Sequence, residues 1–379
     1  MITFTLSHDR YYAVPENTDI LELKSPGSCI DLSTISRCTS LKSINVDNLT
    51  HWYFNSIDGI LYTKDMKELI RCPIAKKGTV IIPEGVEEIA YHAFYLCDIE
   101  KVVFPSTLKR IKSEAFGQCG RLEEICFGTG ITSIGGYNGS NIFSCCSSLT
   151  HIEFPSQLRE IHRGAFQGCR NLHDIKLNDG LDLIDIRAFV HCALEEIHIP
   201  DSVTKLGVRA FGDVKKIYSS RYISGMITAA CRTAFNESVL ELHINDDVIY
   251  LPKCMTEKHI NGVEDMFTYD YGQRDFGPVL YSYAVDTKVK QYVAFKAYQK
   301  HPTKSLKIYL KRISKNLAET LISEGKHDDF ISLLEADLMS DNTLKYVFEL
   351  VQGNAVLSSY VMNKMKKTKD SGFSLSNCA

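Results

Sequence analysis

Apolar positions along most of the chain recur at a spacing longer than any helix or strand period. Phe94, Phe116, Phe143, Phe166, Phe189 and Phe211 share one column, separated by 22, 27, 23, 23 and 22 residues. Ala precedes the Phe at Ala93, Ala115, Ala165, Ala188 and Ala210, with Ile142 the one departure. Three residues after each Phe stand Cys97, Cys119, Cys146, Cys169 and Cys192, and Val214 closes that column. Ile89, Ile111, Ile134, Ile161, Ile184 and Leu206 lie before the Phe; Val102, Ile125, Ile152, Ile175 and Ile197 lie after the Cys. The unit reads L-x-x-I-x-x-x-A-F-x-x-C-x-x-L-x-x-I-x-F-P. It is too short to bury its own apolar face, so copies must stack on one another.

Within the unit, L-x-x-I-x-F alternates at period two, as in Leu122 to Phe127, and predicts a strand whose copies form a parallel sheet. A-F-x-x-C then belongs to the returning arc, where a small Ala allows close approach and Phe fills the interior. The interval of 27 contains a four-residue insertion in GGYNGSN, residues 135–141, with the composition of a loop. Upstream, Cys38, Leu41, Ile44 and Val46 fit the same register, and IDGILYTKDMKELIRCP predicts an irregular hairpin-like unit. Past residue 218 the repeat stops. Ser238 to Lys253 predicts a hairpin with its turn at Asn245 to Asp247, placed to cap the sheet's last edge. From about Thr287 the period becomes helical, with Gly325, Asp341 and Asn354 as helix ends or caps, and the final polar residues, 366–379, are expected to fray. The expected fold class is α+β: a parallel β-solenoid of 22–23-residue repeats, a β-hairpin cap and a small all-α C-terminal domain. The expected boundaries are 1–20 for an N-terminal cap, 21–218 for the solenoid, 219–262 for the hairpin and linker, and 263–379 for the helices.

These columns, together with D-G-I-L-Y at Asp58 to Tyr62, resemble the BspA-like leucine-rich-repeat family. The resemblance implies a curved leucine-rich-repeat solenoid with a binding role. The family's named member is a bacterial surface protein that attaches to host matrix proteins. The segments HDDFISLLEADL and NAVLSSYVMNKM are similar to the second helices of ankyrin-type repeats, although the chain lacks the T-P-L-H signature.

Composition narrows the function. Hydrophobic residues make up 44% and charged residues 23%, as in ordinary globular proteins, and a net charge of −3 points to neither nucleic acid nor membrane. The N-terminus has no basic segment followed by an apolar run, so a cytoplasmic location is expected, with the cell surface as the alternative if an export signal is missing. One cysteine per repeat, with no C-x-x-C clustering, reads as a buried apolar slot of free thiols rather than a metal site, since valine takes the same place at Val214. Cys145 is the expected solvent-side thiol. Gly128, Gly130, Gly135 and Gly136 sit at turns of the repeat, and no P-loop, H-E-x-x-H or G-x-S-x-G motif occurs. No catalytic residue, cofactor or metal is expected.

The outward positions of the strand remain. Lys101, Glu124, His151, Asp174 and Glu196 form one column; Val103, Cys126, Glu153, Lys176 and His198 form the next. The same mixture suits a solvated face with compensating charges, a partner-binding face, or a metal site through His151, Glu153, Asp174 and His198. The candidate partner-binding residues are Lys101, Glu124, His151, Glu153, Asp174, Lys176, Glu196 and His198. Acidic groups outnumber basic ones there. The expected function is therefore a non-enzymatic scaffold holding a protein with a basic docking surface on the concave face, without nucleic acid or membrane insertion. The alternative is a bacterial-type surface adhesin that binds host proteins.

Overall fold

The computed structural model describes residues 1–6, 11–24, 26–27, 29–136, 139–232, 238–270 and 277–371. The chain divides into two compact units. The first comprises Met1–Arg232, His243–Asp246 and Ile260–Tyr269, and the second Thr233–Leu242, Asp247–His259 and Asp270–Ala379.

The first unit is a parallel β-solenoid of about nine turns. Its predicted strands form at Ile99–Val103, Glu124–Cys126, His151–Glu153, Asp174–Lys176 and Glu196–His198. Parallel register places Lys101 beside Glu124, His151 beside Asp174, and His198 beside Tyr218. A second ladder was not expected. The L-x-x-I ahead of each Phe forms two-residue strands, Glu88–Ile89 with Arg110–Ile111, then Ser133–Ile134, Glu160–Ile161, Leu183–Ile184 and Lys205–Leu206. Parallel pairing also begins within the expected N-terminal cap, where Thr3–Leu6 pairs with Ile20–Leu23 and that strand with Ser43–Val46. The irregular unit is built of antiparallel strands, Phe54–Ile57, Ile60–Thr63 and Glu68–Arg71. Its first turn uses Asp58 and Gly59, both left-handed at φ 52° and 73°, the conformation a tight hairpin needs.

The arcs carry the core. Each Phe is fully buried and stacks on the next at ring distances of 4.5, 5.0, 5.4, 5.4 and 6.2 Å from Phe94 to Phe211. Backbone bonds follow the same line. Phe94 N donates to Ala115 O at 2.7 Å, Phe116 N to Ile142 O at 2.9 Å, and Phe166 N to Ala188 O at 2.8 Å. The cysteine column is more than an apolar slot. Cys119 Sγ donates to Phe94 O at 2.9 Å, and Cys146, Cys169 and Cys192 repeat the contact on Phe116, Phe143 and Phe166 at 3.1 to 3.3 Å. Each of these carbonyls already accepts a backbone N–H from its own turn, as Phe189 O does from Cys192 N, which is why Val214 can close the column without leaving a carbonyl unpaired.

Both ends of the arc ladder are closed, at the start by Arg71 with the backbone of Cys72 and at the far end by the carbonyls of a short helix. At the start, Arg71 is buried, its Nη1 donating to His92 O at 2.5 Å and its Nη2 to Ser36 Oγ at 3.2 Å, while Cys72 N donates to Ala93 O. At the far end, Phe211 N donates to Ala229 O in the short helix Met226–Ala230. Glu264 holds that helix, accepting from Tyr222 Oη at 2.5 Å and from the backbone N–H groups of Gly225, Ile227 and Thr228 at 2.7 to 3.1 Å. The hairpin forms as Val239–Ile244 and Asp247–Pro252, turning at Asn245 with φ 53°. Its turn residues belong to the first unit, where Asn245 N donates to Ser219 O. The last turn is thus capped by two devices, a helix on the arcs and a turn on the strands.

The second unit holds the helices Thr287–Lys300, Lys304–Ser323, His327–Glu335, Asp341–Leu350 and Ala355–Ser371. Phe295, Leu310, Leu317, Phe330, Leu333, Val347 and Val361 share one core. Asp286, Thr303 and Asn354 supply N-terminal caps, and Gly325 follows the second helix at φ 70°. Where Asp341 was an expected cap, Ser340 performs the capping and Asp341 adds an acid to the first turn.

The stacking predicts that Phe166→Ala lowers the unfolding free energy by about 3–5 kcal/mol in urea titrations, the range for emptying a buried aromatic site. A second expectation concerns the ladder flank, where Glu87 is bonded to Lys109 at 2.7 Å and Lys67 at 2.6 Å. Those two bonds hold the Glu87 carboxyl down at about 2. A depressed carboxyl stabilises the fold above its unfolded value and loses that contribution as pH falls through its folded value. The urea midpoint of Glu87→Gln should therefore lie below that of the parent at neutral pH, and the gap should close as pH falls from about 4.5 towards 2.

Candidate functional site

The outward strand residues stand where their register requires, on one face of the first unit. Lys101 Nζ and Glu124 Oε1 are bonded at 2.7 Å, which raises the lysine and lowers the glutamate from their ordinary values. Cys126 Sγ also donates to Glu124, at 3.2 Å, and burial together with that carboxylate pushes the thiol up. Among the described residues, Glu153, Asp174, Glu196 and Lys176 have no partner at ion-pair distance. Their charges are left to the solvent or to a ligand.

The face is not one continuous sheet. Strands 78–81, 99–103 and 124–126 form one group, His151–Glu153 and Asp174–Lys176 a second, and Glu196–His198 pairs with Lys216–Ser219 in a third. The first break falls across the long 27-residue interval. A groove of about 700 Å³ opens there, its lining including Glu124, His151, Glu153, Lys176 and Asp179 together with Phe127 and Phe154. A neighbouring hollow of about 630 Å³ adds Glu100, Lys101 and Glu123. Of the eight candidates, five line these two hollows. Asp174 stands in register beside them, and Glu196 and His198 lie further along.

His198 belongs to a feature the repeat columns did not reveal. Its ring stacks on Tyr218 at 4.4 Å, and Tyr218 stacks on His243 at 4.4 Å, beside a hollow of about 280 Å³ with Ser219, Ser220 and Asn245. The spacing from His198 to Tyr218 departs from the 22–23-residue repeat, so the column could be followed only by strand alternation. At the opposite end, Ile81 is 71% exposed. The face thus runs from apolar through charged to aromatic.

The four residues weighed as metal ligands do not converge. Among the described residues, no three His, Cys, Asp or Glu side chains are placed to hold one ion. Cys145 is exposed and Cys146 buried, as the register required. Eleven described cysteines are free, and all but Cys126 and Cys145 are buried. Burial pushes Cys72 and Cys146 well above the ordinary thiol range.

Stacked turns, paired parallel strands and an interior ladder of Phe define a leucine-rich-repeat solenoid. Residues 75–138 and 138–255 match six copies of the BspA type Leucine rich repeat region, so this stretch carries the BspA-type repeat. Solved structures with similar folds include a leucine-rich repeat protein from Eubacterium ventriosum, at 22% identity, covering 52% of this chain and 58% of that one with a TM-score of 0.41. A leucine rich cell surface protein from Faecalibacterium prausnitzii matches at 24% identity over 58% and 56%, TM-score 0.41. The pneumococcal vaccine antigen PcpA matches at 18% over 54% and 55%, TM-score 0.42. The chain spans a little over half the length of each of these three. No curated protein matches it. Among the described residues no helix is long and apolar enough to cross a membrane.

The thiol environments predict the order of labelling. With a maleimide on the folded chain, Cys145 should react first among the described cysteines, and Cys72 and Cys146 only on unfolding. Peptide mass mapping after timed quenching reads the order, and rapid modification of Cys146 would contradict the buried column.

Proposed function

We propose that the solenoid is a non-enzymatic protein-binding module that holds a partner's basic surface against the strand face between Lys101 and His198. The observation that carries this reading is the lining of the two adjacent hollows, where Glu100, Glu123, Glu124, Glu153 and Asp179 face only Lys101 and Lys176. Glu124 is already committed to Lys101, so Glu153 and Asp174 are the charges best placed to meet an incoming cation. Phe127 and Phe154 give the groove an apolar part of its lining for a single anchoring side chain. We also propose a reducing compartment, because a ladder of buried thiols donating to carbonyls has no use for oxidation.

The test uses peptide display against the full chain. Selected peptides should be enriched in Lys and Arg, and Glu153→Lys with Asp174→Lys and Glu196→Lys should weaken a recovered peptide at least tenfold, mostly through a slower association rate. Arg121→Glu with Arg170→Glu and Lys205→Glu, exposed positions outside the hollows, serves as the control. Equal loss in both variants, or recovery of acidic peptides, would remove the strand face from consideration.

A further inference from the structure

The near-neutral net charge conceals a local separation. Residues 233–286 carry three Lys and Arg against ten Asp and Glu, whereas 287–379 carry fifteen against nine. Much of that excess lies on the helix Lys304–Ser323. Lys304, Lys307, Lys311, Arg312 and Lys315 are all exposed, and no acidic residue occurs on this helix before Glu319. At 3.6 residues per turn the five fall within an arc of about 140° and extend about 17 Å along the axis. The opposite face is spent on the core through Leu306, Leu310, Ser314 and Leu317. Among the described residues, Lys304, Lys307, Lys311 and Arg312 have no carboxylate at ion-pair distance. Asp337, the acid whose field reaches Lys307 and Lys311, is bonded to Lys364. In the middle of the stripe stands Ile308, 62% exposed.

We propose that this face of the helix docks on an anionic lipid surface. Four of its five cations are lysines, compact point charges suited to a diffuse field of phosphates, whereas protein interfaces favour Arg and are depleted in Lys. Ile308 separates lipid from nucleic acid. An exposed isoleucine among lysines gains little from a phosphate backbone but can enter the boundary between headgroups and acyl chains. No ring on the stripe is open for base stacking, since Tyr309 is already stacked on Tyr281 at 5.1 Å. The contact is peripheral, and each basic residue multiplies partition onto a phosphatidylserine-rich leaflet about fivefold.

The experiment is co-sedimentation of the full chain with vesicles of phosphatidylcholine alone or with about 30 mol % phosphatidylserine. Binding to the anionic vesicles only, weakened in about 0.5 M salt, is expected. Lys307→Glu with Lys311→Glu should lower the partition at least about 25-fold, and Ile308→Ser about tenfold. Lys258→Glu with Lys345→Glu, the same charge change on other exposed helical positions, should lower it severalfold at most. Circular dichroism melts verify that each variant folds. Equal binding to neutral vesicles, indifference to the stripe reversal, or equal loss in the control overturns the proposal. Tighter capture of a duplex oligonucleotide than of anionic vesicles, unaltered by Ile308→Ser, assigns the stripe to nucleic acid instead.

Discussion

Everything in the first unit depends on the contact between one arc and the next, where a Phe ring lies on its neighbour and a Phe N–H reaches across to the following turn. Ring stacking at 4.5 to 6.2 Å and N–H···O bonds at 2.7 to 2.9 Å must be satisfied together, so the turn-to-turn rise leaves little freedom. Within the repeat, that bond is received by the carbonyl of the residue before the next Phe, Ala in most turns and Ile142 in the long one, and the side chain of this residue is buried throughout. The thiol three residues later fits because it is small, apolar and a weak donor. A ladder of this kind cannot simply stop. Its first carbonyls would be buried without donors, and Arg71 and Cys72 meet that need; its last N–H groups would be buried without acceptors, and the helix held by Glu264 supplies them.

The arcs also set what the strand face can do. Side chains on successive strands are held one above another, so a cross-strand pair such as Lys101 and Glu124 neutralises itself before any partner arrives. The residues with chemistry to spare are those beside a discontinuity. The long repeat keeps the interior Phe contact, with Phe116 and Phe143 5.0 Å apart, while strand pairing is interrupted there and again between Asp174–Lys176 and Glu196–His198, across an interval of ordinary length. Core packing and strand pairing are therefore separable in this solenoid, since the Phe stack runs unbroken past both interruptions.

The repeat columns were legible because burial of Phe, Ala, Cys and Ile recurs identically in each turn, and stacking follows from that alone. The second ladder was hidden, since two residues such as Glu88 and Ile89 show no period. Left-handed residues flank the Phe in each arc, among them His92, Glu114, Arg187 and Arg209, and residue type marks the conformation clearly at Gly164, Gly168 and Asn141 but not at Glu114, Arg187 or Arg209. Val214 suggested a purely apolar slot and so masked the thiol bonds. The buried role of Arg71 leaves no mark in the local sequence, because its partners, His92 O and Ser36 Oγ, lie 21 and 35 residues away. The candidate face was legible by alternation as far as His198. Beyond it, Tyr218 and His243 join the same column only because the shortened last turns place them there.

Bulk charge was the least informative signal, because a sum near zero is compatible with strong local fields. What matters is whether opposite charges are within reach of each other. On the flank of the solenoid they are, and Lys67, Glu87, Lys109 and Lys112 with Glu68 form bonds that consume their charge internally. On the helix Lys304–Ser323 four cations on one arc lack such partners, and a cluster of like charges on a folded surface carries a repulsive cost that neighbouring residues do not relieve. The core does not require lysine at those positions, since Leu306, Leu310 and Leu317 account for the packing of the helix. An anionic surface would relieve that repulsion, and a stripe of flexible lysines around one isoleucine is better matched to a surface of many equivalent phosphates than to a single carboxylate in a fixed place.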